Sequence, residues 1–286
     1  MPIKFAIATN DAYQCVLETF LKAGWQLETL FISPDNWMYS NREVISRALG
    51  LGASVKSSPL SDHDLSDLAR SGCTALVVAS YNWKIPDWRV HLKYAVNFHP
   101  SPLPDGRGPY PQVRAILEDR SSWAVTCHQI NEKFDRGDIL DTENFRIDQD
   151  ECHETLHLKV LMAATRLAER VATCFELLWA GACPQGPGSY WPRWSDPDRL
   201  IDFNQSVWII MRQVRAFGDL ECMATINGVS VFIHRANGWT EPHLARPGAV
   251  VHSSELAMVV AAANGFIAIT EWSCTAPGAI TSRLRC

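Results

Sequence analysis

Several features that would mark out common functions are absent from this sequence. No apolar run among its 286 residues approaches membrane-spanning length, and Met1-Pro2-Ile3-Lys4-Phe5 opens on a strand-like pattern rather than a signal peptide. Neither a membrane nor a secreted protein is expected, and a cytoplasmic location is. An excess of positive charge is also missing. Against 26 Lys and Arg stand 31 Asp and Glu, a net charge of −5, which gives no support to a binder of phosphate backbones. The nine cysteines contain no Cys-x-x-Cys pair and no regular spacing, so reduced thiols acting as small buried hydrophobes are expected. There is no internal repeat and no low-complexity tract. After the first apolar run, residues 4–8, comes Thr9-Asn10-Asp11-Ala12 instead of Gly-x-Gly-x-x-Gly, which argues against a nicotinamide or flavin dinucleotide site.

What is present describes a globular protein with a substantial core, 47% hydrophobic and 20% charged. Strand-like runs at 4–8, 27–32 and 75–79 alternate with helical patterns at 12–23, 41–49 (Ser40 as its cap) and 62–69 (Ser61 as its cap). The continuous aliphatic run Ala75-Leu76-Val77-Val78-Ala79 suits a parallel strand covered on both faces. This rhythm predicts an α/β fold with a doubly wound, mainly parallel sheet. A helix over 111–117, strands over 123–130 and 139–147, and one long helix over 151–180 complete the first part.

A composition break follows. Pro184-Gln185-Gly186-Pro187-Gly188-Ser189, then Trp191-Pro192-Arg193-Trp194, reads as a linker. Beyond it a short helix over 206–215 precedes five strands, at 224–226, 229–234, 248–252, 257–262 and 266–272. Asn227-Gly228 and Asn264-Gly265 supply hairpin signals. The expected division is a catalytic domain over 1–183, a linker over 184–197 and a small five-stranded C-terminal β-barrel over 198–286.

The chemistry is expected where the apolar run 94–98 passes into Asn97-Phe98-His99-Pro100-Ser101-Pro102-Leu103-Pro104. Three prolines within five residues make a stiff, extended loop, and a strand delivering an amide and an imidazole at its carboxyl end is how an α/β fold presents a site. Taken singly, Asn97 is an ordinary strand-end amide, His99 a loop histidine and Asp135 a turn residue before Arg136-Gly137. Together they fit a pattern. With Gly106-Arg107-Gly108 and Phe134-Asp135-Arg136-Gly137-Asp138-Ile139-Leu140, the chain resembles the folate-dependent formyltransferases, which include methionyl-tRNA formyltransferase, glycinamide ribonucleotide formyltransferase and the amino-sugar N-formyltransferases.

That resemblance implies a Rossmann-like catalytic fold, 10-formyltetrahydrofolate as formyl donor, and Asn97, His99 and Asp135 as the catalytic residues. It also implies that Ala79-Ser80-Tyr81-Asn82-Trp83-Lys84-Ile85-Pro86 lines the folate pocket, with Asn82 where the family commonly has glycine. The cofactor-binding candidates are Tyr81, Trp83, Lys84, Ile85, Pro86, Asp138 and Ile139. Asp198-Arg199-Leu200-Ile201-Asp202-Phe203 and Arg215-Ala216-Phe217 resemble the start of the family's C-terminal barrel, shared by methionyl-tRNA formyltransferases and some longer relatives.

Formyl transfer is acyl transfer, in which negative charge develops on the formyl oxygen. An amide such as that of Asn97 can donate to it without titrating, and His99 can donate to it or move a proton from the attacking amine toward the departing nitrogen. Asp135 is expected to orient the imidazole and favour its charged form. No metal is expected. His153-Glu154-Thr155-Leu156-His157 does spell His-Glu-x-x-His on a helix, but no third ligand follows, so solvated or capping histidines are expected.

The acceptor is expected to be a primary amine of a small molecule, with a nucleotide-linked amino sugar foremost. In the tRNA-acting enzymes a basic insertion follows the second strand. Here that stretch, residues 33–42, has one basic and one acidic residue, which weighs against a nucleic-acid partner. Trp37 and Tyr39 could stack on a base or sugar ring, or pack within the loop. The alternatives are methionyl-tRNA, hydroxyornithine on a siderophore pathway, and hydrolysis of formyl-folate without any acceptor. Self-association as a homodimer is left open.

Overall fold

The computed structural model describes residues 2–35 and 40–274, so the expected stacking residues Trp37 and Tyr39 lie outside the described residues. The chain divides into two compact units. The first comprises 1–111, 122–146 and 158–191, and the second 112–121, 147–157 and 192–286.

The first unit is built on a seven-stranded sheet: β1 (Lys4–Ala8), β2 (Gln26–Phe31), β3 (Ser54–Lys56), β4 (Ala75–Val78), β5 (Tyr94–His99), β6 (Ser122–Gln129) and β7 (Ile139–Arg146), in the order β3-β2-β1-β4-β5-β6-β7. The β3-to-β5 pairs are parallel, while β6 pairs antiparallel with β5 and with β7. The sheet is therefore mainly parallel and doubly wound, as expected. β4 is buried along its whole length, which its unbroken aliphatic sequence requires. The three-residue β3 has too little pattern to announce itself in the sequence.

Helices α1 (Gln14–Lys22), α2 (Arg42–Gly50) and α3 (Asp62–Arg70) belong to this unit. Ser61 caps α3 through a capping box with Asp64. The cap of α2 differs from expectation. Asn41 takes the N-cap position without a side-chain bond, and Asp11 Oδ1 accepts from the backbone N–H groups of Glu43 and Val44. Ser40 Oγ accepts only the Arg42 N–H, at 3.4 Å, and an acid from another segment takes the next two donors, a long-range contact invisible in local sequence. The expected single helix over 151–180 is two, α5 (His153–Thr173) and α6 (Phe175–Ala180), after α4 (Pro111–Leu117). Cys174 leaves helical geometry at φ −112° and ψ 26°, and Phe175 packs edge-on against Trp25 and Tyr94 at 5.0 and 4.9 Å.

In the second unit α7 (Asp196–Arg199) and α8 (Val207–Phe217) precede β8 (Cys222–Ile226), β9 (Val229–Thr240), β10 (Val250–Ser253), β11 (Met258–Ala262) and β12 (Gly265–Ser273). These five strands form one antiparallel sheet in the order β10-β11-β12-β9-β8. Asn227-Gly228 makes the expected tight hairpin, both residues having positive φ. The other turn falls one residue early, on Ala263-Asn264. Gly265 is already in β12, where a Cβ would run into the Trp239 carbonyl. β9 runs six residues past its expected end because Gly238, a break in the sequence pattern, is where the Val207 and Met211 side chains of α8 press onto the strand.

Candidate active site

Asn97 and His99 lie two apart on β5 and so share one face of the sheet. β6 pairs Asn97 directly with His128, which brings a third polar side chain to that face. The loop between β6 and β7 turns Asp135 toward them, with Asp135 itself at φ +55°. Gly137 is required beside it: any Cβ there would collide with the Gln129 carbonyl.

One carboxylate oxygen collects the group. Asp135 Oδ1 lies 3.5 Å from Asn97 Nδ2, 3.5 Å from His99 Nδ1 and 3.7 Å from His128 Nε2. Oδ2 accepts from the backbone N–H of Gly108 at 2.9 Å. The three expected catalytic residues are thus adjacent, and His128 joins them.

The histidine tautomers follow from their partners. His99 Nε2 is 2.9 Å from the Gly106 carbonyl, which can only accept, so Nε2 carries the proton and Nδ1 faces Asp135 with its lone pair free. His128 Nδ1 donates to the Gln129 carbonyl at 2.7 Å, which leaves its Nε2 to accept from Asn97 Nδ2 at 3.2 Å. Burial pushes the His99 imidazole below the usual histidine range, outweighing the Asp135 carboxylate that pulls it up. Burial works the other way on Asp135. The neighbouring His99 imidazole and the Gly108 N–H bonded to Oδ2 overcome it and hold the carboxyl well below the usual carboxylate range. The resting site is an ionised carboxylate beside a neutral imidazole. The expectation that Asp135 favours a charged His99 is met in sign but not in outcome, because desolvation is the larger effect.

The proline loop is fastened to β6. Thr126 Oγ1 donates to the Ser101 carbonyl at 2.7 Å and accepts from Leu103 N–H at 3.3 Å, while Trp123 Nε1 donates to the Pro100 carbonyl at 2.8 Å. The residues that follow His99 are therefore held against β6.

The expected folate-lining segment follows β4. Tyr81 and Ile85 pack against the apolar cluster of Leu60, Val78 and Trp88, beside Ile130. Tyr81 and Trp83 meet edge-on at 5.3 Å, the Tyr81 hydroxyl accepts from Leu60 N–H, Pro86 is half-buried and Lys84 is exposed. These rings make an apolar ledge after β4. Of the other two candidates, Asp138 uses its carbonyl to accept from Gln129 N–H, and Ile139 exchanges both backbone bonds with Cys183. The Asp138 carboxylate and the Ile139 side chain are what those two have left to offer.

The His-Glu-x-x-His stretch behaves differently. In the second unit the His153 and His157 rings lie parallel, 6.4 Å apart, while Glu154 Oε1 accepts from the Asp219 backbone N–H. Burial depresses both histidines, His153 to about 4. Among the described residues no group of three or more His, Cys, Asp or Glu could hold a metal ion.

Comparison with known proteins bears on the family and the fold. The model for "Formyl transferase" matches residues 38–171, and the model for "Formyl transferase, C-terminal domain" matches 194–279. The chain belongs to the formyl transferase family. A protein named methionyl-tRNA formyltransferase from Coprothermobacter proteolyticus is 30% identical over 200 residues, covering 68% of this chain and 66% of that protein, so the match spans just under two thirds of the relative. Among solved structures, the N-formyltransferase from Helicobacter canadensis, in complex with folinic acid and dTDP-3-aminofucose, superimposes with a TM-score of 0.70 at 18% identity, covering 96% of this chain and 100% of that one. HypX from Aquifex aeolicus, in a variant form, gives 0.69 at 18%, covering 95% of this chain and 44% of its own. At such identities these structures establish the shared fold.

His128 escaped sequence reasoning. It sits unmarked within Trp123-Ala124-Val125-Thr126-Cys127-His128, and only the antiparallel register against Asn97 gives it meaning. Inward alternation along β6 was the one available signal.

Proposed function

We propose that this protein is an N-formyltransferase that moves a formyl group from 10-formyltetrahydrofolate to a primary amine of a small molecule. The observation that carries this reading is the convergence of Asn97, His99 and His128 on one oxygen of an ionised Asp135. The folate supplies an activated formyl carbon and a nitrogen leaving group. Asn97 holds one amide N–H firmly on His128. The other makes only the long 3.5 Å contact with Asp135, and it turns to the formyl oxygen as charge develops there, an interaction worth roughly 10²–10³ in rate. His99 takes the proton of the attacking amine at Nδ1. Its Nε2–H stays on the Gly106 carbonyl, so the ring keeps its orientation, and the new imidazolium is balanced by Asp135. The same nitrogen then returns the proton to the departing folate nitrogen. The Tyr81–Pro86 ledge, with Asp138 and Ile139, is assigned to the folate.

A nucleotide-linked amino sugar is the first-choice acceptor. The Helicobacter canadensis neighbour, whose complex contains dTDP-3-aminofucose, supports it. So does the charge pattern: no lysine occurs beyond Lys159. In the second unit Arg199, Arg212 and Arg235 are paired with Asp196, Asp119 and Glu271, an arrangement poorly suited to gripping RNA. Methionyl-tRNA is the second reading, favoured by the name of the Coprothermobacter proteolyticus relative. Offering 10-formyltetrahydrofolate with amino-sugar nucleotides, hydroxyornithine and charged initiator tRNA tests both. Formylation of a sugar nucleotide is expected, and efficient formylation of the tRNA alone would overturn the preferred acceptor. Formate released with no acceptor would instead indicate a hydrolase.

A further inference from the structure

The stretch 183–191 follows the last helix of the first unit and reads in sequence as a Pro/Gly connector. Its bonds form a strap fastened to both catalytic loops. At one end, Cys183 exchanges two backbone bonds with Ile139, just past the Asp135 turn, at 2.8 and 2.9 Å. At the other end, Ser189 Oγ accepts from Gly106 N–H at 2.9 Å, the Ser189 carbonyl accepts from Arg107 N–H at 3.2 Å, and Trp191 N–H donates to the Arg107 carbonyl at 2.7 Å. Gly106 is the residue whose carbonyl holds His99. Gly188 lies so close to Pro104 that a Cβ would strike its carbonyl, and the Trp191 indole stacks on Trp123 at 5.6 Å.

Within this strap one side chain bonds both loops. Gln185 Nε2 donates to the carbonyls of Asp135 at 3.0 Å and Gly137 at 2.7 Å, and Gln185 Oε1 accepts from Arg107 Nε at 3.0 Å and Nη2 at 2.8 Å. Arg107 is 2% exposed and gives a further bond from Nη2 to the Gly186 carbonyl at 2.9 Å. A primary amide is the side chain suited to this place. It must accept from a guanidinium on one side and donate to two carbonyls on the other, and a carboxylate, hydroxyl or ammonium group cannot do both.

We infer that Gln185, locked by the buried Arg107, is a positioning residue that sets the Asp135 turn against His99 and Asn97. The Asp135 carboxylate stands on a turn held in the left-handed region, a conformation that persists only when its surroundings impose it. Two of the bonds imposing it come from Gln185. A shift of about 1 Å in such a constellation costs on the order of 10²-fold in rate. Gln185 itself has no contact with the reacting atoms.

This inference rests on the formyl-transfer reading for its kinetic arm, so the test has a second arm that does not. Gln185→Ala removes all four bonds, and Gln185→Glu keeps the acceptor for Arg107 while removing both donors. In both variants kcat is expected to fall about 10–100-fold with KM for donor and amine unchanged within about threefold, and glutamate gives no rescue. In the substrate-free protein, the His99 ring followed by NMR is expected to titrate at higher pH in both variants, because a loosened turn admits water to a buried imidazole. Unchanged kcat with unchanged His99 titration overturns the inference. So does loss of the folded state in both variants, or a change confined to KM. If the wild-type protein formylates no amine, the functional reading falls while the titration still decides the role of Gln185.

Discussion

Two histidine clusters in this chain make an instructive pair. His153-Glu154-Thr155-Leu156-His157 satisfies a well-known short pattern, whereas His99 and His128 are separated by 28 residues and satisfy none that names them both. In the first cluster the two imidazoles face each other in parallel and the carboxylate between them in sequence accepts a backbone N–H instead. In the second, both imidazoles and an amide approach the same carboxylate oxygen. Spacing on a helix brings residues to one face but does not choose their partners. A sheet register, once formed, chooses them.

This contrast can be broken or sharpened by experiment. The largest effect is expected from Asp135→Asn, which removes the charge proposed to balance a His99 imidazolium. A loss of about 10³–10⁴ in kcat is expected with the fold retained, by analogy with the carboxylate of a hydrolase triad, and near-normal turnover would remove Asp135 from the mechanism. His99→Ala should cost roughly 10²–10⁴ and Asn97→Ala roughly 10²–10³ in kcat, each measured by single-turnover formyl transfer. Substitution in the other cluster should leave turnover alone: His157→Asn, or prolonged chelation of the wild-type protein, is expected to leave kcat within about twofold. A zinc-dependent rate would invert the comparison.

The pH profile separates the two clusters more finely. Burial depresses His99, so the proposed base is neutral near neutrality, and the acidic limb of kcat/KM is expected below the ordinary histidine value of about 6.5. A limb above 7 would mean that Asp135 outweighs burial after all. The smallest effect concerns stability. His153 is neutral in the folded chain down to about 4 and would titrate near 6.5 when unfolded. Its contribution is therefore present above 6.5 and lost as pH falls from there toward 4. With partial exposure discounted, this is on the order of 1–2 kcal/mol. His153→Asn should flatten the fall in Tm across that interval, and an unchanged slope would contradict the burial of His153.

Much of the fold was legible because its signals are local. The aliphatic run at Ala75-Leu76-Val77-Val78, the cap at Ser61 and the Asn227-Gly228 turn each declare themselves within a few residues. What could not be read depends on distant partners. Asp11 caps α2 across 32 residues, and Gly265 and Gly238 look like breaks until their packing neighbours are known. The candidate site divides in the same way. Asn97, His99 and Asp135 were found through a motif. His128 needed the β5–β6 register, and Gln185 reaches Arg107 across 78 residues and Gly137 across 48.

The antiparallel seam between β5 and β6 has an evolutionary consequence. Because side chains alternate, sliding β6 by a single residue would turn His128 to the opposite face and bring Cys127 to the amide of Asn97. The connection between the two strands can therefore change length, but only where the change is absorbed before Trp123 and Thr126 dock on the proline loop. Insertions and deletions in descendants of this chain should gather at 118–121, between α4 and β6, and spare 122–128.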